Sequence, residues 1–273
     1  MKKQQRLKIG VLNLMHNKEE SQKQFTKVLT QAYFPIELVF YYPKMHYQKR
    51  PVPQKLQRIA KPLNLEEVKQ LDGFIVSGAP IEKKAFNEIW YMPELEALFD
   101  VLLENKIEQL YVCWGAMAAL NYFYGIQKQM LPAKIFGIYQ NTIYAPSKLL
   151  DKIMTGFLAP HARYAEMDHK QMSAQAELEL LASDINGHLT LAEAVGQKQT
   201  FLFSHLEYDR DALLKEYYRE ITANPEYIER IPKPENYFRD SKNMVEPVFS
   251  WQRTQKTFYT NWLTRILMQK SLS

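Results

Sequence analysis

Short apolar runs of strand length alternate with stretches of helical periodicity, and this alternation restricts the chain to few folds. "LKIGVLNL" reads as a first strand. "KEESQKQFTKVLTQAYF" follows it with Phe25, Val28, Leu29 and Tyr33 at the spacing of one helix face. "IELVFYY" reads as a second strand, "LDGFIVSGAP" as a third ending in a Gly-Ala-Pro turn, and "EQLYVCWG" as a fourth after a helix over "ELEALFDVLLEN". "AMAALNYFYG" then reads as a helix closed by Gly125 as its C-cap. Downstream, "LELLAS", "LTLAEAV" and "QTFLFSH" read as short strands, the last two shaped as a hairpin, and "RDALLKEYYREITAN" and "TQKTFYTNWLTRILMQ" as helices. The stretch from Asn224 to Trp251, rich in proline, asparagine and charge, is expected to be irregular. No internal repeat interrupts the pattern. It predicts an α/β fold with a largely parallel central sheet flanked by helices, in a single domain over residues 1–273.

Composition narrows the function classes. With one cysteine the chain has no internal disulfide and no cysteine-rich metal site, which points to a reducing, cytoplasmic setting. The six histidines show no metal-ligand spacing, so no metal is expected. Neither a GxGxxG run nor a P-loop is present, which argues against a dinucleotide or nucleotide enzyme. No apolar run approaches a membrane span. The N-terminal "MKKQQRLKIGVLNLMHNKEE" starts like a signal peptide, but its apolar part is short and ends in charges. The net charge of +5 is spread among acidic residues, so no nucleic-acid partner is expected.

In open parallel sheets, ligands bind off the carboxyl ends of the strands. Those ends carry Ser77-Gly78-Ala79-Pro80, Cys113-Trp114-Gly115 and Ser204-His205-Leu206-Glu207. Cys113 is either a small buried hydrophobe or a nucleophile on a sharp strand-to-helix turn, with the Trp114 amide available as an oxyanion donor. The small-x-nucleophile-x-small pattern is incomplete, because Tyr111 occupies the first small position. If the backbone stays extended past His205, Glu207 projects to the same side and can fix the imidazole tautomer, giving a Cys113-His205-Glu207 triad. The plain alternatives are a loop histidine and a solvated glutamate. His161, with Arg163, either lines a site or anchors a loop, whereas His16, His46, His169 and His188 read as surface residues in polar turns.

These motifs resemble the homoserine O-acyltransferases of the transsuccinylase family, whose fold is like that of the class I glutamine amidotransferases. The similarity runs through "LKIGVLNLM", "FIVSGAP", "YVCWGAMAALNYFYGI", "FLAPHARYAEM" and "HLEYD" to "SWQRTQKTFYTNWL". The resemblance implies Cys113 as nucleophile, His205 as base and Glu207 as third member, with an oxyanion hole from the Trp114 N–H and a backbone donor near Ala79. It implies that Lys134 and Arg219 hold the amino-acid substrate. Read without it, Lys134 is a loop charge and Arg219 a helix-surface charge.

In the family, the second residue after "GAP" separates acyl donors: glycine leaves room for succinyl and glutamate goes with acetyl. Here it is Glu82, which implies acetyl-CoA as co-substrate, with no further cofactor. The acceptor implied is L-serine, with L-homoserine as the alternative. The family's usual acceptor is homoserine, and the chain departs from the family at Ala162 where a serine is often found, Leu206 where a proline stands, His16 in "NLMH", and a first strand without the family's N-terminal arm. The expected reaction is ping-pong through an acetyl-Cys113 intermediate. The rivals are a glutaminase-like hydrolase and a catalytically dead regulatory relative. A homodimer is what the family suggests.

Overall fold

The computed structural model describes residues 6–272; Met1 to Gln5, the start of the basic N-terminal stretch, lie outside them. Its elements, in order, are β1 (Leu7–Leu12), α1 (Lys18–Leu29), β2 (Ile36–Tyr42), α2 (Gln54–Ile59), β3 (Lys61–Pro62), α3 (Leu65–Val68) and β4 (Gly73–Val76). Then follow α4 (Met92–Glu104), β5 (Glu108–Val112), α5 (Trp114–Tyr124), β6 (Lys128–Ile143), β7 (Phe157–Met167) and α6 (His169–Ala174). The chain ends with β8 (Leu178–Asp184), β9 (Leu189–Ala194), β10 (Gln199–Leu202), α7 (Ala212–Ala223), β11 (Phe238–Asp240), β12 (Val245–Pro247) and α8 (Gln252–Leu272).

Ten strands form one sheet in the order β3-β2-β1-β4-β5-β10-β9-β8-β6-β7. Strands from β3 to β10 run parallel, and from β10 onward each strand is antiparallel to its neighbour. The central parallel strands β4, β5 and β10 are buried along their whole length. Their near-continuous apolar sequences follow from burial on both faces. Alternate side chains feed two cores. Ile75, Leu110 and Leu202 pack with α1 and α8 through Phe25, Val28, Trp262 and Ile266. Phe74, Tyr111 and Phe201 pack with α4 and α5 through Leu98, Phe99, Met117 and Leu120.

The expected alternation, and the β9–β10 hairpin, are present. Gly125 caps α5 in the left-handed conformation, with φ +68°. The segment from Asn224 to Trp251 is irregular apart from a 3-10 turn and the short β11–β12 pair.

The sequence reading missed β6 and β7, the long antiparallel pair at the sheet edge. Two prolines hid them. Pro132 falls in a register shift between Met130 and Ile135, and Pro160 sits on the edge strand β7. Those are the places where a sheet tolerates a residue without an N–H. Lys134 is therefore a buried strand residue and not a loop charge.

His161 is likewise buried in β7, where Arg163 bonds its Nδ1 and Thr190 Oγ1 lies 3.4 Å from its Nε2. Burial first, then the Arg163 charge, holds this imidazole well below its ordinary pKa. It does not line the cleft described below, so the anchoring reading is the one realised.

The guanidinium of Arg163 is fully buried and ties β7 to β9: it donates to Glu166 Oε1 at 2.7 Å and to the Leu189 carbonyl at 2.8 Å. Burial pushes the Glu166 carboxyl up. His169, Arg163 and the Leu189 N–H outweigh that and bring it from 4.5 down to about 2. A depressed carboxyl stabilises the fold above its unfolded pKa, and that contribution is lost as pH falls through the folded value. The ionised Glu166, held by these partners together, therefore contributes about 3 kcal/mol above pH ~4.5 that fades toward pH ~2. Glu166→Gln is expected to unfold more easily near neutrality, with the gap to wild type closing between those pH values in denaturant titrations. A gap that stays constant with pH would contradict this role for Glu166.

Candidate active site

The chain leaves β1 toward β2 and β3 and returns to β4 on the other side, so a topological switch point lies between β1 and β4. A crevice off the strand ends is expected at that place. The loops after both strands are knitted together there, Leu14 N–H donating to Ser77 Oγ at 2.7 Å. A cleft of about 330 Å³ opens at this end, lined by Met15, Ala79, Glu82, Cys113, His205 and Arg219 among others.

Cys113 occupies the single residue between β5 and α5, with φ +49° and ψ −113°. That region costs a non-glycine residue on the order of 1–3 kcal/mol and persists only where surrounding bonds enforce it. The Cys113 N–H donates to the Leu202 carbonyl at 2.7 Å, and its own carbonyl accepts from Met117 at 3.1 Å. Gly115 makes the turn possible, since a Cβ there would lie 2.7 Å from the Val76 carbonyl oxygen and 2.8 Å from that of Ser77. Gly78 lets the neighbouring loop approach, because a Cβ on it would sit 3.3 Å from both Cys113 Cβ and His205 Cε1. Tyr111, at the position where the motif often has glycine, is buried in the opposite core and stacks on Phe201. Trp114 is the first residue of α5, so its N–H has no partner within the helix.

His205 lies beyond the end of β10, and the backbone does not stay extended there as expected. It turns, the Tyr208 N–H donating to the His205 carbonyl at 3.1 Å. The turn still brings Glu207 Oε1 to 2.7 Å from His205 Nδ1. Burial opposes charge on the imidazole, but the neighbouring Cys113 and the hydrogen-bonded Glu207 raise its pKa well above the ordinary value. Pro160 accepts the His205 N–H at 2.8 Å, and Tyr208 stacks on the ring at 4.3 Å. Cys113 and His205 thus meet in the cleft, with Glu207 buried behind the imidazole.

The remaining residues singled out in the sequence also line this cleft: Ala79, Glu82, Lys134, Ala162 and Arg219. Burial raises the Glu82 carboxyl above its ordinary value, and Glu216 adds to the effect against Lys134 and His205. Lys134 differs from expectation, since its ammonium is already held by Glu216 Oε1 at 2.8 Å and Glu220 Oε2 at 2.6 Å. Tyr208 donates to Glu216 at 2.9 Å and Tyr164 donates to Glu220. Arg219 is the half-exposed cation at the mouth, 3.6 Å from Glu216 Oε1.

Sequence reasoning did not find Glu216, Glu220, Tyr164 or Tyr208. A signal was available for the first two: Glu216, Arg219 and Glu220 stand at i, i+3 and i+4, one face of α7. His46 also departs from its surface reading, being half-buried and stacked on Trp90.

The fold places the chain among the α/β proteins of glutamine amidotransferase-like fold. A glutamine amidotransferase from Thermotoga maritima superposes with a TM-score of 0.62 over 96% of this chain and 98% of its own, at 11% identity. Within that class, the homoserine O-succinyltransferase family model matches residues 1–272, and the chain belongs to that family. It is similar to the serine O-acetyltransferase of Lactobacillus acidophilus, 48% identical over 96% of each chain. It is also similar to the homoserine O-acetyltransferase of Thermotoga neapolitana, 32% identical over 97% of this chain and 86% of that one. The protein is accordingly an O-acyltransferase of amino-acid biosynthesis. Among the described residues no helix is long and apolar enough to cross a membrane.

Proposed function

We propose that this enzyme transfers the acetyl group of acetyl-CoA to the side-chain hydroxyl of L-serine through an acetyl-Cys113 intermediate. The observation that carries the chemistry is Cys113 on its strained turn, lining one cleft with a His205 that Glu207 holds at 2.7 Å. His205 takes the Cys113 proton, and the thiolate attacks the thioester carbonyl. The tetrahedral intermediate collapses, and CoA leaves as the thiol with the proton from His205. Serine then enters, its hydroxyl gives a proton to His205, and its oxygen attacks the acetyl carbon, releasing O-acetylserine and the Cys113 thiol. The Trp114 N–H at the head of α5 and the Ala79 backbone stabilise both oxyanions.

Arg219 takes the α-carboxylate of the acceptor with its guanidinium fork. Lys134 acts one step back, fixing Glu216 and Glu220 along the wall where the amino acid lies. Ala162 leaves that wall without a hydroxyl.

Glu82 is proposed to set the donor: it lines the same cleft as Cys113, where a carboxylate would take up room and repel the distal carboxylate of a succinyl group. Glu82→Gly is expected to raise the succinyl-CoA rate by about tenfold or more relative to acetyl-CoA. An unchanged donor ratio in steady-state assays would remove Glu82 from donor selection.

Serine is favoured over homoserine because the similarity to the serine enzyme, at 48%, exceeds that to the homoserine enzyme, at 32%. One methylene contributes only about 1–3 kcal/mol of discrimination, so few residues are needed to shift the preference. The test is CoA release from acetyl-CoA with L-serine or L-homoserine in parallel. A higher kcat/KM for serine is expected, and a higher value for homoserine would make the protein a homoserine O-acetyltransferase.

A further inference from the structure

A second cleft of about 470 Å³ adjoins the first and shares Met15, Pro80, Ile81 and Lys84 with it. Its walls combine cations with aromatic rings, and these cations differ from the buried ones that carboxylates hold elsewhere. Lys134 is neutralised by Glu216 and Glu220, Arg163 by Glu166, and Arg265 by Glu108 and Glu193. Lys18, Arg50 and Lys84 line the second cleft, and none of them makes an ion pair among the described residues. The Lys18 ammonium donates only to the Met15 carbonyl, at 2.5 Å, while Arg50 donates to the His46 carbonyl at 3.2 Å, bonds the His46 ring at Nε2 and lies over the Tyr47 ring at 5.0 Å. Glu88 also lines the cleft, but its carboxylate accepts the Ala85 N–H at 2.6 Å.

Crowding shows in the proton affinities. Burial, with Arg50, lowers Lys18 to about 7, and burial, with Arg50 and Lys18, lowers His46 to about 4. His46 Nδ1 is buried without a hydrogen-bond partner. Beside these groups, the His46 ring stacks on Trp90 at 5.2 Å, and Trp90 remains 47% exposed. An exposed aromatic face next to Arg50 and Lys84, with a Lys18 whose protonation a bound anion would favour, suits a purine ring carrying phosphates.

We propose that this second cleft binds the nucleotide end of the acyl-CoA donor, with the phosphates against Lys18, Arg50 and Lys84 and the adenine on Trp90. The pantetheine arm then runs along the four shared residues to Cys113. The inference rests on the acyl-CoA reading given above and adds where the donor's recognition energy comes from.

The test uses two donors, acetyl-CoA and S-acetylpantetheine, which carries the same thioester without the nucleotide. In wild type, kcat/KM is expected to be higher for acetyl-CoA. In Arg50→Ala and in Trp90→Ala the ratio of the two values is expected to fall about tenfold each. Calorimetric binding of adenosine 3′,5′-bisphosphate, expected for wild type and for Cys113→Ala and weakened by Arg50→Ala, reads the subsite without catalysis. A donor ratio that both substitutions leave unchanged, or no bisphosphate binding to wild type, overturns the proposal. Bisphosphate binding without acetyl transfer from either donor would sink the catalytic reading and leave the subsite standing.

Discussion

Cys113→Ala is expected to lower acetyl transfer by at least about 10⁴-fold while leaving the fold intact. Nothing else in the cleft can replace the sulfur. Cys113 is the only cysteine of the chain, and Ser77, at the neighbouring strand end, already donates its hydroxyl to the Gly78 carbonyl at 3.0 Å. The backbone at φ +49° is enforced by the Leu202 and Met117 bonds and by the room at Gly115, none of which involves the thiol. Alanine adopts the same turn at much the same strain, so thermal unfolding should change by only about 1 kcal/mol, as expected for losing one small buried group. Loss of activity with a retained unfolding transition is the expected pair of results. CoA release within tenfold of wild type would contradict the nucleophile assignment.

Glu207→Gln carries the second largest expected effect, a fall in kcat of about 10³–10⁴-fold with little change in KM for the amino acid. The side chain keeps its size and loses its charge. Its oxygen lies 2.7 Å from His205 Nδ1, and in the proposed mechanism it fixes the tautomer and stabilises the imidazolium formed when the thiol proton is taken. Because the carboxylate favours the charged ring, the substitution should lower the His205 pKa, which NMR titration of the ring reads directly. A merely structural glutamate would leave that titration in place. A fall in kcat without a shift of His205 would therefore remove Glu207 from its positioning role.

How far the sequence revealed this arrangement depended on how local each signal was. Cys113 was legible because β5 and α5 each announce themselves by period, and the residue between them falls at a strand's carboxyl end. His205 and Glu207 were legible by their spacing, although the backbone reaches their 2.7 Å contact through a turn and not an extended strand. The β6–β7 pair was not legible, since Pro132 and Pro160 argue against strands until the register shift and the edge position are known. Lys134 was misread for the same reason: its partners Glu216 and Glu220 lie more than eighty residues away, at sequence separations of 82 and 86. His46 and Trp90, far apart in sequence, meet only in the folded chain, so the second cleft left no local trace.

The most direct test of the account is mass spectrometry of the protein mixed with acetyl-CoA in the absence of an acceptor. The account predicts one added acetyl group, mapped to Cys113, that disappears on addition of L-serine as O-acetylserine forms. Turnover of acetyl-CoA and L-serine with no acetyl group ever found on Cys113 would contradict it.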